Sequence, residues 1–187
     1  MQEDIDFIIE TAQESMSASI DHLNHELSKI RSGKASPSLL QDIRIDYYGS
    51  QTPISQVANV NVADGRTLIV EPWEKSNLGA IEKAIFAENI GITPQNDGQI
   101  IRINLPPMTE NRRKELAKQA GAMGEKAKVS IRSARRDAME EIKKEVKDGY
   151  PEDAGKRAET QIEDLMKAFY AKEGALVAAK ERDIMTV

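Results

Sequence analysis

Apolar side chains recur every three or four positions along three stretches of the chain. From residue 3 to 30 the repeat is Ile5, Ile9, Ala12, Met16, Ile20, Leu23, Leu27 and Ile30. From 110 to 147 it runs Leu116, Ala120, Met123, Ala127, Ile131, Ala134, Ala138, Ile142 and Val146. From about 152 to 183 the inward set is Ala158, Ile162, Leu165, Phe169, Leu176 and Ala179. Such steps place each set on one stripe of a helix. Thr109 is positioned to cap the second helix, and Asp148-Gly149-Tyr150-Pro151 stops it with Gly and Pro in the expected order. The helices would be roughly 40, 55 and 45 Å long at 1.5 Å per residue. None can bury its stripe alone, so a long antiparallel three-helix bundle with coiled-coil-like packing is the simplest solution.

Residues 31–106 obey a different period. Ile43, Ile45 and Tyr47 alternate with Arg44, Asp46 and Tyr48, as a half-buried strand does, and Gly49-Ser50 is a turn candidate. Val57 to Val62 and Thr67 to Glu71 are further strands, separated by Asp64-Gly65. Ser76 is expected to cap a helix with Leu78, Ile81, Ala84 and Ile85 inward, ended by Gly91 and Pro94. After a turn at Asn96-Asp97-Gly98, Ile101, Ile103 and Leu105 form a last strand, and Pro106-Pro107 forbids its continuation. The class is α+β: a small mixed domain at 31–106 inserted into a discontinuous bundle, 1–30 with 107–187. The chain crosses between them at 30–34 (Ile30, Arg31, Ser32, Gly33, Lys34) and at 105–107 (Leu105, Pro106, Pro107). Gly33 permits unusual backbone angles, whereas the prolines stiffen their side. Paired crossings suit a hinge between rigid bodies, and a plain junction with a fixed interface fits the same pattern.

Composition removes most chemistry. The 187 residues contain no Cys and only two His, which excludes disulfides, thiol nucleophiles and cysteine–zinc sites and leaves little for a histidine cage. His22 and His25, three apart on the first helix, have no third ligand indicated and read as surface residues. Gly33-Lys34 lacks the earlier Gly and the following Ser or Thr of a phosphate loop. No catalytic residue, metal site or cofactor is expected. No apolar run approaches the ~20 residues of a membrane helix. The acidic start, MQEDIDFIIE, resembles neither a secretory signal nor a transit peptide, so the expected setting is the cytoplasm, with no membrane partner.

The net charge of −5 is unevenly spread. Residues 1–30 carry −6, whereas Glu110 to Arg136 hold nine bases against three acids. With Arg112 set at zero on a helical wheel, the apolar positions of this helix from Leu116 to Ala138 fall at about 20° to 100°. Lys114, Lys118, Lys128, Arg132, Arg135 and Arg136 fall between about 140° and 240°, on the far side from the core. Arg113 and Lys126 flank them. Such a stripe tracks phosphates well, although a solvated helix face has the same composition. No aromatic residue lies between Glu110 and Gly149, so stacking of unpaired bases is not available there. A nucleic-acid partner would be met through backbone and shape.

Several irregular segments carry a resemblance. SKIRSGKASPSLL (28–40), DYYGSQTPI (46–54), RTL (66–68), EKAI (82–85), IRINLPPMTENRRKEL (101–116) and IRSARRDAMEEIKK (131–144) occur in the order and spacing of the bacterial ribosome recycling factor family. Lys34 stands where that family commonly has Arg, and Ser32 where it has Thr. The resemblance implies an L-shaped, tRNA-like, two-domain molecule, with the bundle as one arm and a β/α/β domain as the other. It implies binding to the post-termination ribosome, with the bundle across the aminoacyl and peptidyl sites of the large subunit. Elongation factor G, with GTP, then drives the subunits apart and mRNA and deacylated tRNA are released. The factor itself changes no bond. Arg132, Arg135 and Arg136 match the family's arginine-rich rRNA-binding motif, and Arg113 matches another of its basic positions. Stripe geometry adds Lys118 and Lys128.

Two other classes compete on the residues alone. A coiled-coil adaptor would pair its stripes with a partner helix and sediment as a dimer, whereas an intramolecular bundle would be a monomer. A small hydrolase lacks both nucleophile and metal set.

Overall fold

The computed structural model describes residues 2–88 and 91–186; positions 1 and 187 of the expected bundle segments, and 89–90 of the expected insertion, lie outside the described residues. The chain divides into two compact units, Met1–Ser32 with Glu110–Val187, and Gly33–Thr109.

The first unit is three helices: α1 (Gln2–Ser28), α3 (Glu110–Lys147) and α4 (Glu152–Met185), with α2 (Leu78–Ala87) belonging to the second unit. Ile5, Ile8 and Ala12 of α1 pack with Ala138 and Ile142 of α3 and with Ala158 and Ile162 of α4. Further along, Met16, Ile131 and Phe169 form the next layer. Residue numbers rise along α1 and α4 while they fall along α3, so α3 is antiparallel to both. The α3–α4 corner is a Schellman motif. Tyr150 N–H donates to Glu145 O at 2.9 Å and Gly149 N–H to Val146 O at 3.2 Å, with Gly149 at φ +109°. Buried Tyr150 then donates its hydroxyl to Gln2 Oε1 at 2.8 Å and ties the corner to the start of α1. No helix among the described residues is long and apolar enough to cross a membrane.

The second unit contains a hairpin, β1 (Arg44–Tyr47) with β2 (Ser50–Pro53), and an antiparallel sheet in the order β3-β4-β6-β5. The sheet strands are β3 (Ala58–Asp64), β4 (Thr67–Pro72), β5 (Pro94–Asn96) and β6 (Ile101–Asn104), and the helix is α2 (Leu78–Ala87). Leu68 and Val70 of β4 and Ile101 and Ile103 of β6 meet Leu78, Ile81 and Ile85 of α2 in one core. Period two in the strands and three-to-four in the helix point their apolar faces at each other.

Several local expectations are corrected. The hairpin turn is Tyr48-Gly49, both at positive φ (50° and 83°), and Ser50 already pairs with Tyr47. Gly49 N–H donates to Asp46 Oδ1 at 2.8 Å, which fixes the turn one residue earlier than Gly49-Ser50. Ser76 does not cap α2. It lies inside a 3₁₀ turn, Lys75–Asn77, and Asn77 occupies the cap position without a side-chain capping bond. Pro94 begins the edge strand β5, where a missing N–H is tolerated. Val57 closes a 3₁₀ turn, Ile54–Gln56, instead of opening a strand. Leu105 lies past β6, and its N–H donates to Arg66 O at 2.7 Å. In α4, Ala179 is exposed along an open cleft of about 270 Å³ between α1 and α4, too short a side chain to close it. Beyond Phe169, Glu173 and Ile184 are the buried residues of this helix instead.

Candidate nucleic-acid interface

An uninterrupted 38-residue helix presents the basic stripe. Good helix formers fill the exposed face of α3, and its small inward residues (Ala120, Gly124, Ala127, Ala138) let the neighbouring helices come close. From Lys118 to Arg136 the face extends about 27 Å at 1.5 Å per residue.

The cations on this face differ in what holds them. Lys118, Arg132 and Arg136 are exposed and make no ion pair among the described residues. Arg132 and Arg136 are one turn apart, and Lys128 is one turn before them. The Lys128 ammonium lies 3.1 Å from Glu125 Oε1 and 3.7 Å from Glu173 Oε2 of α4. These carboxylates, Glu125 foremost through its hydrogen bond, raise its pKa above the ordinary lysine value. Arg135 donates from Nε to Glu163 Oε1 at 2.8 Å and from Nη2 to the same oxygen. That hydrogen bonding raises the guanidinium pKa and lowers the Glu163 carboxyl below its usual range. Lys114 pairs with Glu110 at 2.6 Å within its own helix.

Arg113 stands apart from the others. It is half-buried at the edge of the apolar stripe, and its Nη1 donates to Ile184 O at 2.8 Å and Thr186 O at 3.0 Å. Its charge therefore meets the carbonyl end of α4, where a cation is favoured by the helix dipole.

The sequence pattern did not single out Glu163, Glu173 or Gly124. A signal for one of them was present: Glu173 falls four residues after inward Phe169 and three before Leu176, so a carboxylate occupies an inward position.

At the crossings, Ile30 is buried in the helical unit and Gly33 adopts φ +80°. Ala35 N–H donates to Gly65 O at 2.9 Å, and Leu105 N–H bonds the adjoining Arg66 O. Both chain segments are therefore tied to the β3–β4 turn. Met108 Cε lies only 2.9 Å from where a Cβ on Gly33 would stand.

Elsewhere, Tyr47 and Tyr48 donate their hydroxyls to opposite oxygens of Glu74 at 2.8 and 3.3 Å, and Trp73 Nε1 donates to Asn59 Oδ1 at 3.2 Å. His22 lines a cleft of about 230 Å³ between α1 and α3 with Ser19, Glu26, Lys126 and Ser130. Among the described residues no three His, Asp or Glu side chains gather as metal ligands.

The sequence model described as ribosome recycling factor matches residues 23–185. The ribosome-recycling factor of Flavobacterium johnsoniae is 50% identical over 187 residues, covering all of both chains. That of Bacteroides fragilis is 50% identical over 184 residues, 98% of this chain and 99% of its relative. The solution structure of a ribosome recycling factor superposes with a TM-score of 0.82 at 34% identity, covering 98% of each chain. A second solved structure, of the T. thermophilus ribosome recycling factor and E. coli elongation factor G bound to the E. coli post-termination complex, matches with a TM-score of 0.67. Its identity is 38%, over 97% of this chain and 99% of that one.

Proposed function

Because the chain belongs to the ribosome recycling factor family, we propose that it binds the post-termination ribosome through the outer face of α3. With elongation factor G and GTP it promotes dissociation into subunits and release of mRNA and deacylated tRNA. It acts as a binding factor, and its contacts are with large-subunit rRNA at the aminoacyl and peptidyl sites. The observation that carries the rRNA contact is the pair Arg132 and Arg136, exposed, one turn apart and free of ion pairs among the described residues. Exposed guanidinium groups on an aromatic-free helix suit phosphates of folded RNA, each able to bridge two oxygens. Lys118 extends the same row, and Lys128 and Arg135 border it on the α4 side. Arg113 supports the row indirectly, by holding the end of α4.

Rigidity is the second requirement. The apolar stripes of α1, α3 and α4 cover one another within a single chain, which supports a monomeric arm that transmits force. In this reading the inserted domain swivels about Ile30–Lys34 and Leu105–Pro107 while the bundle stays anchored. Gly33 at φ +80° on one crossing, with the two prolines on the other, supports that assignment.

A post-termination ribosome splitting assay with elongation factor G and GTP tests the reading. Subunit release should require this protein, and splitting that proceeds equally without it removes the proposed role.

A further inference from the structure

The guanidinium of Arg135 is used on one edge and open on the other. Nε and Nη2 both donate to Glu163 Oε1 of α4, whereas Nη1 has no partner among the described residues. A planar guanidinium offers its Nε/Nη2 edge and its Nη1/Nη2 edge in different directions. Glu163 takes the first and leaves the second outward. Both side chains are about one-third exposed, 37% for Arg135 and 31% for Glu163, so the pair lies at the lip of the α3–α4 seam and remains open to a ligand. On the helical wheel Arg135 lies about 60° from Arg132, on the side away from Arg136. A flexible side chain there has many positions that miss a phosphate held by Arg132.

We propose that Glu163 is a positioning residue for RNA binding: it clamps one edge of Arg135 so that the other edge is presented, already ordered, to an rRNA phosphate beside Arg132. This rests on the assignment of the α3 face as the rRNA surface. A carboxylate near an anion site would ordinarily weaken it by repulsion. Here the cost is offset because the ordering of a long side chain is completed before binding. Arg135 keeps its charge and its two-pronged donor face, and Glu163 keeps an oxygen that Arg135 does not use.

The test is binding to purified large ribosomal subunits across a salt series, with folding followed by circular dichroism. Glu163→Leu removes the clamp and also a negative charge. Positioning predicts binding about three- to tenfold weaker than wild type, with the salt slope lowered by about one contact. Glu163→Gln keeps an acceptor oxygen and should restore most of the affinity and the slope. In an Arg135→Ala background, Glu163→Leu should add nothing further. If both Glu163 variants bind more tightly with a steeper slope, Glu163 merely screens the surface and the proposal fails. It also fails if Glu163→Leu leaves binding unchanged, or weakens it equally with Arg135 absent. Arg132→Ala is the internal gauge. If that variant also binds normally, the surface assignment itself is wrong and this inference falls with it; if Arg132→Ala binds weakly while Glu163→Leu binds normally, only the clamp is refuted.

Discussion

Gly124 of α3 stands directly against the buried carboxylate of Glu173 on α4. A Cβ at position 124 would collide with Glu173 Oε1 and come within 2.7 Å of Val177 Cγ2. Glu173 is 4% exposed, and its other oxygen faces the Lys128 ammonium. The missing side chain on α3 thus makes room for a charged group that a closely packed seam would otherwise reject. Glycine in a helix interior is disfavoured by roughly 0.5–1 kcal/mol relative to alanine, so a substitution without a clash would stabilise. Gly124→Ala should instead lower bundle stability, by up to about 2.5 kcal/mol once overpacking of about 1–3 kcal/mol is set against that gain. Gly174, exposed with nothing within 4 Å of its virtual Cβ, is the control. Gly174→Ala should raise stability by about 0.5–1 kcal/mol in denaturant unfolding. Equal stabilisation by both would mean that the seam yields and Gly124 is not required.

Arg113 makes a different prediction from its neighbours on α3. Its Nη1 bonds carbonyls at the end of α4. Arg113→Ala should cost about 1.5–3 kcal/mol, the scale of hydrogen bonds made by charged groups. Amide exchange at Ile184 to Thr186 should accelerate as the last turn frays. If exchange there is unchanged while ribosome binding falls, Arg113 is a direct RNA contact and not a helix-end clasp.

The three long helices were legible because each repeats its apolar stripe over many turns, and a pattern such as Ile131, Ala138 and Ile142 admits one reading. The α3–α4 corner was legible for the same kind of reason: Gly149 and Pro151 each have a single usual place there. Short elements were not. β2 and β5 have no buried run of their own: Ser50 and Gln51 are exposed, and Pro94 is the one buried residue of its strand. Only pairing with β1 and β6 makes them strands. The basic stripe was legible as a wheel pattern, but a wheel does not know which neighbouring helix supplies a carboxylate. Glu163 and Glu173 belong to a helix distant in sequence, and their partnership with Arg135 and Lys128 exists only after α4 packs.

The Arg135–Glu163 pair should also be visible in the pH dependence of stability. The hydrogen bonds from Arg135 depress the Glu163 carboxyl, outweighing the opposing effect of burial. An unfolded glutamate titrates near about 4.3. Above that value both states are ionised and the pair contributes in full. As pH falls, the unfolded chain takes up its proton first, and the contribution is lost as the pH passes through the depressed folded value. The stability difference between wild type and Glu163→Gln should therefore be level near neutrality and shrink below about pH 4.3. A difference that persists unchanged into acid would show that the ionised carboxylate is not what stabilises.

Arg132 and Arg136 test the interface itself. Each phosphate contact that is lost should reduce the salt slope of large-subunit binding by about one unit. Arg132→Ala should therefore weaken binding most at low salt and flatten its salt dependence, and Arg132→Ala with Arg136→Ala should lower the slope by about two. Both side chains are exposed, so unfolding temperatures should stay near wild type. Binding that weakens without any change in slope would assign these residues to a contact other than phosphate.

Gly33 separates anchoring from movement. At φ +80° it occupies backbone space that an L side chain enters at a cost of about 1–2 kcal/mol. A side chain there also meets Met108 Cε. The methionine tip is flexible and can move aside, but the backbone strain remains. Gly33→Val should therefore shift this crossing to a different backbone path, and adding Met108→Ala should not restore it. The stripe on α3 is untouched by either change, so large-subunit affinity and its salt slope should match wild type. If the inserted domain swivels here as proposed, splitting of post-termination ribosomes by elongation factor G and GTP should slow, because the push would no longer be delivered along the same hinge. Normal splitting by Gly33→Val would remove this glycine from the swivel and leave the crossing as a passive connection.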